Sequence, residues 1–328
     1  MSDVTALVLS IGEESTARAI ASVQRQVPAV AEVIVVRDIS PFHRAFNHGV
    51  TRVRTPFFVQ VDADMILDET CVADLRRAVA DGVGIVVGHL RDPLLERTVG
   101  IKLFRTRCCT RAQLLDSVSA ETDFVDTMQH QGWTIVYALK HTGGSPADWH
   151  IFGRHHPDYT PFYTFSKYVR EGAKARYRKV GKALRHQCQQ LSRSTHATAH
   201  LAVIGLAHGI FVETRRDIHI PDAYRDDFAS LARFLADSQT DARISVRQEN
   251  LIQADLEEGF IRAYAFGAQL RRHRAGAAFM SCLRHLQRGN EVSPWVALVG
   301  LCQGIFVDEY RSAEAVRAFA TLSELLPA

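Results

Sequence analysis

No stretch of this 328-residue chain offers the ~20 consecutive apolar residues that a membrane-spanning helix needs. The two most apolar segments fall short in different ways. Residues 196–212 carry three histidines, and 295–307 run for only 13 residues. Nothing here is expected to cross a bilayer. Cysteine is sparse too. The six (Cys71, Cys108, Cys109, Cys188, Cys282 and Cys302) include no CxxC spacing, which argues against a zinc ribbon or a thiol redox pair. Reduced thiols in a cytosolic compartment are the simplest expectation. An excess of one charge is also missing: 39 Lys+Arg against 36 Asp+Glu leave a net +3, too balanced for a dedicated nucleic-acid binder. The opening MSDVTALVLSIGEEST has neither a basic n-region nor a cleavage site and does not read as a signal peptide. What remains is ordinary globular material, 47% hydrophobic and 23% charged, with length for two domains at roughly 100–200 residues each.

The first half alternates strands and helices. Val4–Ile11 is an apolar run that stops at Gly12, as a buried strand would. A helix is expected over Glu13–Gln26, closed by Pro28, then a strand over Glu32–Val36 and a helical stretch over Phe42–Val53 after Pro41. Pro56 precedes a third strand, Phe57–Val61, which runs into Asp62-Ala63-Asp64. Asp68 is expected to cap a helix over Glu69–Ala80, and Val83–Leu90 reads as a fourth strand. This order implies βαβ units, hence an α/β fold with an open, mostly parallel sheet covered on both faces. Ligands of such sheets sit beyond the carboxyl ends of the strands, where Asp62 and Asp64 fall.

Two carboxylates one residue apart at a strand end cannot both be buried unpaired without a large desolvation cost. A divalent cation shared with phosphate oxygens is a natural partner, because Mg²⁺ and Mn²⁺ take oxygen ligands from one or two carboxylates plus substrate phosphates. A solvated turn with two chance aspartates is the plain alternative. The surrounding motifs favour the cation: LVLSIGEE, then ASVQRQ at 21–26, VIVVRDIS, HRAFNHG at 43–49 and VQVDAD at 59–64. Their order and spacing over roughly the first 140 residues resemble family 2 glycosyltransferases of the GT-A fold.

That resemblance implies roles. Ser10, Ile11 and Glu13 would line a nucleotide pocket, and Asp38 would take a hydrogen bond from the base. Arg44 and Asn47 would lie near the ribose and diphosphate. Asp62 would face the nucleotide-sugar and, with Asp64, ligate a divalent cation, Mn²⁺ or Mg²⁺. Arg37 departs from the second aspartate that many relatives carry. An inverting displacement also needs a general base. The stretch Glu121-Thr122-Asp123-Phe124, followed by Gln131-Gly132-Trp133 and the run Thr134–Leu139, is similar to the family's acidic pair, with Thr122 in place of a glutamate. Asp123 is the expected base and Glu121 the fallback; the plain reading of Asp123 is an acid suited to a first helical turn. His141 is the expected further metal ligand, with His150 and His155 as rivals, and Gly143 and Gly144 would let a loop move over the donor. The absence of a QxxRW motif argues against a processive polymerase.

Residues 1–160 are therefore expected to form a nucleotide-sugar-binding catalytic domain, and 161–328 an α-helical domain with an internal repeat at an offset of 95. Its two units, about 165–216 and 260–311, align FSKYVREGAKAR with FIRAYAFGAQLR and GLAHGIFV with GLCQGIFV. Glycines four apart let helices approach closely, so the units are expected to pack on each other or on a second copy as a homo-oligomer. Lys167, Arg170, Lys174, Arg178, Lys182 and Arg185 recur every three or four residues as a basic stripe. A solvated face, contact with anionic lipid or a lipid-diphosphate acceptor, and an anionic glycan all fit it; nucleic acid fits worst. The resulting expectation is a cytoplasmic, metal-dependent glycosyltransferase, in peripheral contact with the inner face of a membrane. It would take a nucleotide-diphosphate sugar donor and a glycan, lipid-linked or protein acceptor. A nucleotidyltransferase on a similar sheet is the alternative enzyme, and a degenerate transferase domain serving as an assembly platform the non-enzymatic one.

Overall fold

The computed structural model describes residues 2–109, 112–117, 119–138, 150–178, 187, 190–191 and 193–211. His141, the glycines at 143 and 144, Lys182, Arg185 and the second repeat unit lie outside these residues. The chain divides between Pro157 and Asp158 into two compact units.

The first unit runs β1 (Val4–Ser10), α1 (Thr16–Gln24), β2 (Glu32–Arg37), α2 (Phe42–Val50), β3 (Phe57–Asp62), β4 (Met65–Leu67), α3 (Cys71–Arg77), β5 (Val83–Asp92), β6 (Glu96–Arg105), α4 (Thr106–Cys109), α5 (Ala120–His130), β7 (Thr134–Tyr137) and β8 (Ile151–His155). The strands join in the order β2-β1-β3-β6-β5-β8-β4, with β7 also paired to β5. The expected mostly parallel sheet is corrected to a mixed one. β1–β2, β1–β3, β5–β7 and β5–β8 are parallel, whereas β3–β6, β5–β6 and β4–β8 are antiparallel. The cause is a β5–β6 hairpin turned by Asp92-Pro93, in which Asp92 Oδ1 accepts from the Leu94 and Leu95 amides at 2.8 Å each. This return strand inserts between β3 and β5.

Helices cover both faces, as the continuous apolar strands require. On one face Val8, Val59, Val61, Leu90 and Leu103 pack with Val23 of α1 and Leu75 of α3. On the other, Leu7, Phe58, Val87 and Phe104 meet Phe46 of α2 and Phe124 of α5. Four phenylalanines hold that second face: Phe58 and Phe104 stack at 5.0 Å, and Phe46 sits edge-on to Phe104 at 5.4 Å and to Phe124 at 6.0 Å. Such pairs add about 0.5–1.5 kcal/mol each beyond area burial.

Two buried polar side chains of the ASVQRQ segment fix the backbone beyond Asp64. Ser22 Oγ accepts from the Leu67 amide at 3.1 Å. Gln26 donates to the carbonyls of Asp68 at 2.8 Å and Ser22 at 3.2 Å, and accepts from the Val72 amide at 2.9 Å. Asp68 does not cap α3. The N-cap is Thr70, whose hydroxyl donates to Asp74 at 2.9 Å.

In the second unit α6 (Pro161–Arg178) is continuous through Gly172, and α7 spans Ala199–Phe211. Glycines let the two helices touch backbone to backbone. A Cβ at Gly205 would lie 2.6 Å from the Phe165 carbonyl oxygen, and a Cβ at Gly209 or Gly172 would collide with the carbonyl of Val169 or Leu206. Within the stripe on α6, Lys174 pairs with Glu171 at 2.7 Å and Lys167 lies over the Tyr159 ring at 5.1 Å. No helix among the described residues is long and apolar enough to cross a membrane.

Gln26→Leu keeps the side-chain volume but strands the Asp68 carbonyl and the Val72 amide. Each buried unsatisfied group costs about 1–3 kcal/mol, so urea denaturation is expected to show a loss of roughly 2–4 kcal/mol. A change within about 0.5 kcal/mol would contradict the role given to Gln26.

Candidate active site

The register places the strand ends in one row. Leu9 pairs with Asp62 and Ser10 with Arg37, so the segments after β1, β2 and β3 meet at the carboxyl edge of three parallel strands. After β1, Ser10 Oγ donates to Glu13 Oε2 at 2.9 Å and lies 2.8 Å from the Thr16 hydroxyl, while the Ile11 amide donates to Glu13 at 2.9 Å. This turn leaves Ile11 68% exposed. Asp38 follows β2 at φ 57, a left-handed conformation that a short polar side chain tolerates, and its amide donates to the Ser10 carbonyl at 2.9 Å. Ser10, Ile11, Glu13 and Asp38 thus gather beside the β3 end. Arg44 is exposed on α2. Asn47 serves the backbone instead. Its side-chain amide donates to the Leu114 carbonyl at 2.8 Å and accepts from the Leu114 amide at 3.0 Å, clasping the 112–117 loop.

Asp62 and Asp64 meet different partners. Asp62 shares a face with Gln60 and Lys102, which are partners in the β3–β6 register. Gln60 Nε2 donates to Asp62 Oδ1 at 3.0 Å. Burial, then the Asp64 charge, pushes Asp62 up to about 6; Glu121 adds to the rise, and Gln60 and Lys102 oppose it. Lys102 pairs with Glu121 at 2.5 Å. Burial draws the Lys102 ammonium down, but Glu121, Asp62 and Tyr137 outweigh it and hold the group above its ordinary range.

Asp64 meets a histidine held from behind. Its Oδ2 lies 3.1 Å from His155 Nε2, and His155 Nδ1 lies 2.6 Å from Asp92 Oδ2. The Asp92 side chain is fully buried, with its other oxygen taken by the two turn amides. His150 is directed elsewhere, 3.8 Å from Asp74 and edge-on to Phe152 at 4.4 Å. Among the described residues no group of three or more His, Cys, Asp or Glu side chains is arranged to hold a metal. Asp64 and His155 form a two-donor set, which suits a hydrated cation that completes its shell with phosphate oxygens.

The two acids of α5 separate, as positions two apart on a helix must. Glu121 reaches Lys102. The Asp123 carboxylate accepts from the hydroxyls of Ser117 and, at 2.9 Å, Ser119, tying down the helix start. Sequence reasoning missed Gln60, Asp92 and Lys102. Each left a trace: a polar residue in FFVQV, a lysine in the apolar GIKLF, and an acid-proline turn signal.

No family model and no curated protein matches the chain. Among solved structures it is similar to the mannosyltransferase PcManGT from Pyrobaculum calidifontis in complex with GDP-Man and Mn2+. That likeness has 11% identity, covers 94% of this chain and 88% of that one, and has a TM-score of 0.39. It is also similar to S. aureus TarS 1-349, at 10% identity over 95% and 93% of the two chains and a TM-score of 0.35. The TarS structure in complex with UDP-GlcNAc gives 11% identity over 95% and 93%, with a TM-score of 0.33.

The elevated Asp62 group makes stability depend on pH with a defined sign. Its folded value lies above the unfolded 3.8, so the native state keeps a proton that the unfolded chain has lost, and stability falls as pH rises from 3.8 through about 6. In metal-free buffer Asp62→Asn is expected to gain stability above about pH 6, by at most about 3 kcal/mol, and to change little near pH 4. Denaturant titrations at the two pH values check this, and an equal effect at both would contradict it.

Proposed function

We propose that this chain is a metal-dependent glycosyltransferase that moves a sugar, with inversion, from a nucleotide-diphosphate donor to an acceptor hydroxyl. The observation that carries the reading is the strand-end arrangement: Asp64 beside a histidine fixed by Asp92, and Asp62 beside a Lys102–Glu121 pair. The motif resemblance over the first 140 residues supports it.

Asp64 and His155 would hold the Mn²⁺ or Mg²⁺, whose charge when bound offsets that developing on the leaving diphosphate. The carbonyl and carboxylate groups of the Ser10–Glu13 turn and of Asp38 offer acceptors for the nucleoside. Asp62 faces the donor sugar, oriented by Gln60. Glu121, rather than the expected Asp123, takes the role of general base. Asp123 is committed to two serine hydroxyls, whereas Glu121 stands at the first turn of α5 beside Lys102 and the Asp62 charge. Glu121 takes the acceptor hydroxyl proton as that oxygen bonds the anomeric carbon and the bond from this carbon to the diphosphate oxygen breaks. Lys102, shared between Glu121 and Asp62, keeps both acids in place as the proton arrives.

Thermal-shift measurements with UDP, GDP, dTDP and CMP, with and without Mn²⁺, test the reading. Metal-dependent stabilisation by one diphosphate is expected, about 2.7 kcal/mol at a hundredfold excess over Kd. A response only to nucleoside triphosphates would assign a nucleotidyltransferase, and no response an assembly platform.

Two substitutions refine it. Glu121→Gln is expected to abolish transfer while nucleotide binding persists, and Asp123→Asn to lower the melting temperature with turnover kept; the reverse pattern would restore Asp123 as base. Asp92→Asn can still accept from the turn amides but presents an N–H to His155 Nδ1, which moves the ring hydrogen to Nε2. Mn²⁺ affinity, read from free Mn²⁺ by electron paramagnetic resonance, is expected to drop about 10–100-fold. Unchanged affinity would remove His155 from the site.

A further inference from the structure

Three arginines stand side by side across three adjacent strands. Arg91 of β5 pairs in register with Arg97 of β6 on one side and with Arg154 of β8 on the other. Neighbouring strands lie about 4.8 Å apart, and like charges placed directly opposite weaken a sheet. Arg91 and Arg154 are exposed and Arg97 half-buried. Among the described residues neither Arg91 nor Arg154 pairs with an acid. Asp92, next to Arg91 in sequence, is fully buried and held by His155 and two turn amides, and Glu96, next to Arg97, is exposed. The Arg97 charge reaches His89, which burial and then Arg97 push down to about 4.

The row lies on the face that carries the candidate base. Val87, His89 and Arg91 alternate onto one side of β5. Their partners are Lys102 and Tyr137, then Val99 and Ile151, then Arg97 and Arg154. Four residues of strand, about 13 Å, separate the Lys102 row from the arginine row. The ground between them is half-open and apolar, with Tyr137 52% and Val99 47% exposed and the Tyr137 ring 6.0 Å from that of His89.

We propose that Arg91 and Arg154, flanked by Arg97, form an anion-binding row that takes a phosphate- or carboxylate-bearing glycan as the acceptor. Guanidinium forks bind both oxyanions bidentately. An extended chain anchored on the row crosses Val99 and Tyr137 and brings a hydroxyl toward Glu121. The acceptor role rests on the glycosyltransferase reading; the anion binding does not.

The test titrates the full chain with labelled inorganic polyphosphate, polygalacturonate, neutral dextran and phosphatidylglycerol vesicles, without nucleotide or metal. At least one anionic polymer is expected to bind in a salt-sensitive way, the one that binds identifying the acid, while neutral dextran does not. The double variant R91A/R154A weakens binding about tenfold or more, and R91K/R154K recovers most of it. R170A/K174A on α6 leaves it unchanged. Wild-type affinity in R91A/R154A, equal binding of neutral dextran, or binding to vesicles alone overturns the proposal. The nucleotide and Mn²⁺ thermal shift is run on the same R91A/R154A protein and is expected to match wild type, which separates the two readings. Anion binding through the row without any such shift would leave an anion surface and remove the acceptor role.

Discussion

Two carboxylates at the end of one strand are the constraint around which the first unit is organised. Side chains alternate along a strand and the chain turns after Asp62, so Asp62 and Asp64 face different surroundings. Each then needs its own compensation. Asp62 receives Gln60 and the Lys102 charge on the face that carries the aromatic core. Asp64 receives His155. Neither solution removes the mutual repulsion, and burial with the Asp64 charge still holds Asp62 near 6. An arrangement that keeps uncompensated negative charge at a ligand edge is costly for folding and useful for a cation-bridged phosphate.

The frame around this edge is built by polar side chains that reach backbone rather than ligand. Ser22 and Gln26 fix the segment from Leu67 to Val72, which fixes where β4 ends and so limits where Asp64 can sit. Asn47 clasps Leu114 and so anchors the loop that leads to α5 and Glu121. The motif residues that look most like ligand contacts in the sequence are partly structural. Their spacing is constrained because the loops they hold carry the acids.

Much of the frame is legible in the residues. β1, β2, β3 and β5 follow mostly apolar stretches, and each begins at the expected residue; the helices between them follow from amphipathic spacing and proline stops. The strand-end position of Asp62 and Asp64 follows directly. What stays hidden depends on pairing between distant segments. Glu96–Arg105 alternates poorly, since Val99 is exposed while Gly100 is packed against Leu90, so its sequence does not read as a strand. Without β6, neither Lys102 nor the direction of Asp92 can be placed. The choice between Glu121 and Asp123 is equally out of reach, because it depends on the rotation of α5 about its axis relative to the sheet. Both acids satisfy the same first-turn pattern.

The antiparallel return of β6 gives the site its second half. In an all-parallel sheet each crossover carries the chain back to the far edge, and only strand ends reach the ligand side. Here the chain reverses at Asp92, at the same edge as the end of β3, and β6 starts its descent from that edge. The turn itself therefore becomes part of the site, presenting Asp92 to His155 on one face. At the first pair of the β3–β6 register, Lys102 emerges on the other face opposite Gln60. One hairpin thus supplies the histidine's support and the cation that links Asp62 to Glu121. The departure from a parallel sheet is the feature that converts two half-buried acids into an organised candidate site.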